Sequence, residues 1–141
     1  MSDKDLRKLP KIELHLHLDC CLSFDVVKKI NPKIDIETFN NKFKAPSTCS
    51  SVKEYIKCAE FAVDLMQDKN SISLIVEDLF EQLKAENIIY VEIRFAPLLH
   101  CRGELSAKNV VQIVNDTSKK YSKKYGIHYA LILCTLRHFS K

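Results

Sequence analysis

Two histidines and two acidic residues recur at every second position of the first hydrophobic segment. Glu13, His15, His17 and Asp19 alternate with isoleucine and leucine over residues 12–19. Residues two apart in an extended strand point to the same side, so the spacing predicts one polar face. The Cβ atoms of His15 and His17 would lie roughly 7 Å apart, close enough for both rings to bind one zinc ion at about 2.0–2.1 Å per nitrogen. The pattern favours a metal site at a strand end.

The same alternation has a second interpretation that involves no metal. A half-exposed antiparallel strand also alternates polar and apolar residues. Because the chain has five histidines among 141 residues, a single His-x-His is a weak signal by itself. The order of the other elements therefore has to decide between the two interpretations.

The rest of the chain predicts an alternation of helices and strands. Capping residues and apolar periodicity indicate helices and strands in the order helix 23–30, helix 35–43, helix 52–66, helix 71–87, strand 88–95, helix 106–125 and strand 127–137. Strands separated by helices are typical of a parallel sheet with crossover connections. The sequence therefore predicts an α/β fold with three parallel strands.

A parallel sheet changes the interpretation of the polar faces. Both faces of such a sheet are usually covered, so the polar side of the first strand does not simply face water. The carboxyl ends of parallel strands build the active sites of β/α barrels, and His15, His17 and Asp19 fall at such an end. In the second strand Glu92 and Arg94 share a face. We expect Arg94 to pair with Glu92, with Glu13 or with water, since an uncompensated buried charge is costly.

Composition narrows the class of protein. The chain is 46% hydrophobic and 28% charged, which is the balance of one globular domain. Six cysteines without a Cys-x-x-Cys pair, and no apolar leader at the start, predict a reducing, cytoplasmic setting. No run approaches the roughly 20 apolar residues of a membrane span. The lysines between 119 and 124 share a helix with an apolar face, so we expect neither a nucleic-acid nor a membrane partner.

Three segments carry a more specific pattern. They are LPKIELHLHLD at residues 9–19, YVEIRFAP at residues 90–97 and ILCTLRH at residues 132–138. In this order they resemble the N-terminal part of adenosine deaminases, which belong to the amidohydrolase superfamily. The resemblance implies a partial (β/α)8 TIM-type barrel, with its first three parallel strands and a helical insertion between strands 1 and 2. Residues 1–141 would form the N-terminal portion of a single metal-dependent deaminase domain.

The same resemblance implies a chemistry and roles for three residues. His15 and His17 would be two of the ligands of a Zn²⁺ cofactor, and Asp19 would contact the ribose end of a purine nucleoside. Zinc-activated water attacks C6 of adenosine in that family, which releases ammonia and gives inosine. The insertion resembles an apolar gate over the pocket at Val52, Tyr55, Ile56 and Ala59, although the same stripe is equally typical of ordinary helix core.

The chain also departs from the family pattern. The family usually has glycine after the aspartate, whereas this chain has Cys20, which tolerates fewer backbone angles and brings a soft ligand near the metal. A complete barrel takes about 250 residues. The family's remaining metal ligands and its catalytic glutamate are therefore expected beyond Lys141, and no catalytic residue is predicted within the chain. His100, His128 and His138 do not replace the missing ligands.

These departures predict a truncated chain that is inactive by itself and needs the missing C-terminal part of the barrel as a partner. Two other functions stay open. One is another amidohydrolase-type deaminase that acts on adenine, a nucleotide or a modified nucleoside, and the other is a non-catalytic fragment. Zinc binding through His15 and His17 separates a catalytic piece from an inert one. A cytidine-deaminase site is excluded because it requires His-x-Glu and Pro-Cys-x-x-Cys, which the sequence lacks.

Overall fold

The fold is built on a three-stranded parallel sheet. The structure is a computed structural model that describes residues 3–49 and 51–137. Strands β1 (Lys11–His17), β2 (Ile88–Phe95) and β3 (His128–Leu133) lie in the order β1-β2-β3, and both pairs are parallel. The predicted parallel pairing is confirmed.

Six helices connect and cover the strands. They are α1 (Asp3–Lys8), α2 (Phe24–Ile30), α3 (Ile36–Lys42), α4 (Val52–Leu65), α5 (Lys69–Ala85) and α6 (Ala107–Tyr125). Short 3-10 turns at Leu18–Cys20 and Pro97–His100 follow β1 and β2. Helices α2 to α5 fill the long connection between β1 and β2, so the predicted helical insertion is confirmed.

The helix ends follow local capping chemistry. The hydroxyls of Ser23 and Ser106 accept hydrogen bonds from backbone N–H groups three residues on, and Gly126 ends α6 with φ +70°. Helix α5 begins before the predicted Ser71, because the Asp68 carboxylate accepts hydrogen bonds from the Ser71 N–H and hydroxyl at 2.9 and 2.6 Å. Strand β3 ends at Leu133, short of the predicted residue 137. Helix α1 was not predicted.

The core lies between one face of the sheet and helices α5 and α6. Val91, Ile93 and Phe95 alternate along β2 and are buried on this face. They belong to one apolar cluster with residues of the two helices, which include Ile72, Ile75, Val76, Leu79, Phe80, Val110, Ile113 and Val114. The alternate residues of β2, Tyr90, Glu92 and Arg94, are half-buried on the opposite face. The candidate site is built on that second face.

Strand β1 does not keep the regular alternation that its sequence predicts. Glu13 pairs with Val91 and Leu16 pairs with Ile93, so three residues of β1 span two of β2. His15 has φ +61°, which marks an irregularity of the bulge type. Because side-chain direction alternates with every residue, one extra residue reverses the faces before and after it.

The predicted faces of β1 are therefore wrong in part. Ile12 and Leu14, which were expected to share an apolar face with Leu16 and Leu18, are 62% and 59% exposed. Leu16 packs against the core and Leu18 is fully buried. Glu13 is in register with the buried Val91, whereas His17 is in register with the half-buried Arg94. The expected common face for Glu13 and His17 is not formed.

No helix within the described ranges is both long enough and apolar enough to cross a membrane.

Candidate functional site

The two histidines of the His-x-His pair come together at the carboxyl end of β1. The ring centroids of His15 and His17 lie 5.3 Å apart with an interplanar angle of 42°. Two imidazoles that bind one zinc ion tetrahedrally at about 2.0–2.1 Å per nitrogen have ring centres about 5 Å apart. The spacing of these rings therefore fits a shared ion.

The neighbouring strand places a cation beside this pair. His17 is in register with Arg94, and the Arg94 Nη1 group lies 3.1 Å from His17 Nδ1, which accepts a hydrogen bond when it is unprotonated. The expected ion pair of Arg94 with Glu92 or Glu13 does not occur among the described residues. Glu92 accepts a hydrogen bond from Tyr90 instead. The bulge in β1 brings His17 rather than Leu16 opposite Arg94, while Glu13 lies opposite Val91, three residues earlier in β2.

Asp19 lies just beyond the strand, inside the 3-10 turn. Asp19 is only 8% exposed. Its carboxylate Oδ1 lies 3.7 Å from His17 Nδ1 and 3.9 Å from Cys20 Sγ. The ligating atoms of His17, Asp19 and Cys20 all lie within 4.8 Å of one another, so these three side chains form a compact group of possible metal ligands.

Hydrogen bonds hold the segment after the turn against α5. The Ser23 N–H and hydroxyl donate to the two carboxylate oxygens of Asp78 at 3.0 and 2.5 Å. Gln82 Nε2 donates to the Cys21 carbonyl at 2.8 Å, and the Cys21 thiol donates to the His17 carbonyl at 2.9 Å. These contacts fix the backbone on both sides of Asp19.

A cavity of about 420 Å³ opens over this group of residues. Helix α4 and the segment before it form its apolar wall, and the full lining is His17, Asp19, Cys20, Phe43, Ala45, Ile56, Cys58, Ala59, Glu60, Val63, Arg94, Leu99 and Leu136. Two of the expected gate residues, Ile56 and Ala59, line it. Val52 is 73% exposed and does not, and the side chain of Tyr55 lies outside the described part of the structure.

A second cleft of about 550 Å³ lies beside α6 and the end of β3. Its walls are mainly apolar, and its ionisable residues are Lys108 and Cys134. It contains no histidine or carboxylate. The chemistry of the described chain is therefore concentrated in the cavity at His17.

Local environment sets the protonation of the site residues. Burial, and then the Arg94 guanidinium, lower the pKa of His17, while Asp19 opposes this change. Neutral imidazole is the form that binds metals. Burial followed by the Asp19 carboxylate raises the pKa of Cys20 to about 11. Without a metal, Cys20 is therefore a neutral thiol at pH 7.

His100 is a buried polar residue whose position the sequence did not reveal. It closes the turn after β2, is 1% exposed, and neither ring nitrogen makes a well-formed hydrogen bond. Burial lowers its pKa, and Asp19 opposes that shift. The sequence feature that could have indicated its burial is its place directly after the apolar run Pro97-Leu98-Leu99 at a strand end. His128 is exposed on β3, and His138 lies outside the described residues.

A comparison with known families decides the assignment. The adenosine deaminase family profile matches residues 10–141. The chain belongs to the adenosine deaminase family. A curated adenosine deaminase from Clostridium acetobutylicum is 39% identical over 137 residues, which cover 92% of this chain and 41% of that protein. A second one, from Clostridium perfringens, is 35% identical over 143 residues and is covered to 43%. The chain thus spans about two fifths of the length of these family members.

Solved structures support the fold. An adenine deaminase from Arthrobacter aurescens superposes with a TM-score of 0.78 at 19% identity, covering 93% of this chain and 41% of that one. An amidohydrolase from Burkholderia ambifaria with bound Zn also superposes with a TM-score of 0.78, at 16% identity, covering 94% of this chain and 38% of that one. An Arabidopsis ADAL protein in complex with GMP superposes with a TM-score of 0.74, at 21% identity, covering 97% of this chain and 44% of that one. The expectation of a partial barrel is confirmed, since this family member matches only part of each barrel.

Proposed function

We propose that this adenosine deaminase family member supplies the first part of a zinc-dependent site for the hydrolytic deamination of adenosine to inosine and ammonia. His15 and His17 would be two of the metal ligands, and Asp19 would bind the sugar of the nucleoside. Residues 1–141 would be the N-terminal portion of one barrel domain, which acts together with the rest of that barrel. The pair of rings 5.3 Å apart at the end of β1 is the observation that carries this proposal.

The chemistry of the donors suits Zn²⁺. Imidazole is a frequent zinc ligand, and a lowered pKa keeps His17 neutral at pH 7. When bound, the ion acts as a Lewis acid that makes water a nucleophile near neutral pH. The ring nitrogens of His15 and His17 would hold it, with the remaining ligands contributed by later parts of the barrel.

The other residues of the cavity would bind and orient the substrate. Asp19 is at the cavity wall, and its carboxylate can accept a hydrogen bond from a sugar hydroxyl. Ile56, Ala59 and Val63 of α4 would cover the purine and exclude water. Neither role provides the proton transfer to the purine ring that deamination needs. We therefore expect no significant deaminase activity from residues 1–141 alone.

A chimeric enzyme tests this proposal. Residues 1–141 would replace the matching segment of the Clostridium acetobutylicum relative, which already covers 92% of the chain at 39% identity. We expect the chimera to bind zinc and to convert adenosine to inosine, with adenine and AMP as poorer substrates. His15→Ala and His17→Ala should lose zinc and activity together.

The role of Asp19 has a separate readout. Asp19→Asn in the chimera should raise KM for adenosine while zinc content stays unchanged, and Asp64→Asn, on the exposed side of α4, is the matched control. A chimera that stays folded and active after loss of both histidines would contradict the metal assignment. A preference for adenine or AMP over adenosine would contradict the nucleoside assignment.

A further inference from the structure

The buried carboxylate of Asp19 is poorly compensated in the described structure. The residue is 8% exposed, and the contacts of its side chain are the long ones to His17 at 3.7 Å and to Cys20 at 3.9 Å. A carboxylate taken out of water needs a close cation or short hydrogen bonds. Neither contact is short, so the position is suited to a bound cation.

The distances around Asp19 fit a cation with mixed ligands. With bonds of 2.0–2.3 Å to nitrogen, oxygen and sulfur, neighbouring ligand atoms of a tetrahedral zinc site lie about 3.3–3.8 Å apart. The His17–Asp19 and Asp19–Cys20 separations lie close to this range, and all three ligating atoms are within 4.8 Å of one another. A carboxylate and a thiolate also balance the charge of a divalent ion.

We propose that His17, Asp19 and Cys20 form a second, sulfur-containing binding site for a soft divalent cation such as Zn²⁺, Co²⁺ or Cd²⁺. The Cys20 S–H bond breaks on binding, the sulfur forms a bond to the metal, and the proton passes to solvent. This site uses His17 but not His15, and it is therefore an alternative to the pair that the deaminase reaction would use.

Arg94 is the opposing group in this site. Its Nη1 atom lies 3.1 Å from the same His17 nitrogen that faces Asp19, so it must move when the cation enters. Removal of its positive charge should strengthen cation binding. Arg94→Met should therefore raise the affinity for the cation, whereas loss of the Cys20 sulfur should lower it.

The inference rests on the proposed function in one respect. A cation at this site occupies Asp19, which would otherwise bind the substrate sugar, so soft cations in excess would compete with the nucleoside. Cys20 would then make this protein more sensitive to such cations than a family member with glycine at that place.

A cobalt titration of the 141-residue chain tests the site directly. We expect a thiolate-to-cobalt charge-transfer band in the near ultraviolet, which Cys20→Ser abolishes while Co²⁺ affinity falls at least tenfold. Cys58→Ser is the matched control, since Cys58 lines the same cavity but is not in the ligand group, and it should keep the band. His15→Asn should keep it as well, and Arg94→Met should increase the affinity.

One further variant controls for folding, and three outcomes of the titration would overturn the site. Cys20→His, which restores a ligand of a different type, should recover binding without the sulfur band and guards against a folding defect in Cys20→Ser. Cobalt that binds without a sulfur band, and is lost in His15→Asn, would overturn this site but support the proposed His15–His17 pair. A band lost in Cys58→Ser and kept in Cys20→Ser, or no cobalt binding by the folded chain, would also overturn it.

Discussion

Arg94 Nη1 lies 3.1 Å from His17 Nδ1 across the β1–β2 pair, where the two residues are in register. The contact places the permanent positive charge of Arg94 beside His17, a proposed metal ligand of this adenosine deaminase family member. It disfavours a protonated imidazole and leaves the ring neutral. Arg94 is therefore part of the site, and not of the separate structural ion pair that its sequence suggested.

Loss of this charge should change the titration of His17. We expect Arg94→Met to raise the pKa of His17, because the guanidinium lowers it after burial does. The measurement is a pH titration of the His17 ring signals by NMR in the metal-free chain. Arg102→Met is the control, since Arg102 pairs with Asp64 on the surface. An unchanged or lower pKa in Arg94→Met would contradict the electrostatic coupling.

The backbone at His15 should tolerate glycine. A non-glycine residue in the left-handed region is strained by about 1 kcal/mol or more, and His15 has φ +61°. We expect His15→Gly to keep or raise the free energy of unfolding, by up to about 1 kcal/mol, in urea without metal. His128→Gly is the control because His128 lies in β3 without a positive φ, and it should be destabilising. Equal losses in both variants would show that His15 carries no strain.

The link between Ser23 and Asp78 should contribute to stability as a coupled pair. The Ser23 hydroxyl caps α2 and also donates to Asp78 at 2.5 Å. We expect Ser23→Ala to lower the free energy of unfolding by about 1–2 kcal/mol. A double-mutant cycle with Asp78→Ala should give a coupling of about 1 kcal/mol.

The cap of α6 provides the comparison for this cycle. Ser106 caps its helix through Asn109 and shares no hydrogen-bond partner with Asp78. The effects of Ser106→Ala and Asp78→Ala should therefore add within about 0.5 kcal/mol. If Ser23 and Asp78 were equally additive, the link would not hold the segment after Asp19.

His100 should make the fold sensitive to mild acid. Burial lowers the pKa of His100 in the folded state, and the Arg102 charge adds to this shift. Asp19 and the Met66 backbone oppose it but are outweighed. The unfolded chain therefore takes up the proton first, so stability falls as pH drops below about 6.5 and levels off below the folded-state pKa. His100→Phe should reduce the loss of unfolding free energy between about pH 7.5 and pH 5.5.

A second histidine limits the expected size of this effect. His17 has a lowered pKa and contributes in the same direction, so His100→Phe should reduce the pH dependence and not remove it. A pH dependence that is the same in His100→Phe and in the unaltered chain would show that His100 is protonated equally in both states.

The sequence alone determined the features that depend on local chemistry and on order along the chain. Ser23, Asp35, Ser51 and Ser106 marked helix starts correctly, because capping is a contact between residues only three apart. Alternation of helices and strands determined the parallel sheet, and three short segments determined the family. The His-x-His pair could be selected for the same reason, since its two residues are near each other in any strand.

Only the tertiary structure decided which residues meet across elements. An extra residue in β1 between Glu13 and Leu16 leaves Ile12 and Leu14 exposed and brings His17 opposite Arg94, and no local pattern encodes that register. Cys20 joined His17 and Asp19 through a turn whose shape depends on bonds to α5, 55 or more residues away along the chain. Register and long-range packing are set by the whole buried core, so the geometry of the site could not be obtained from residue spacing.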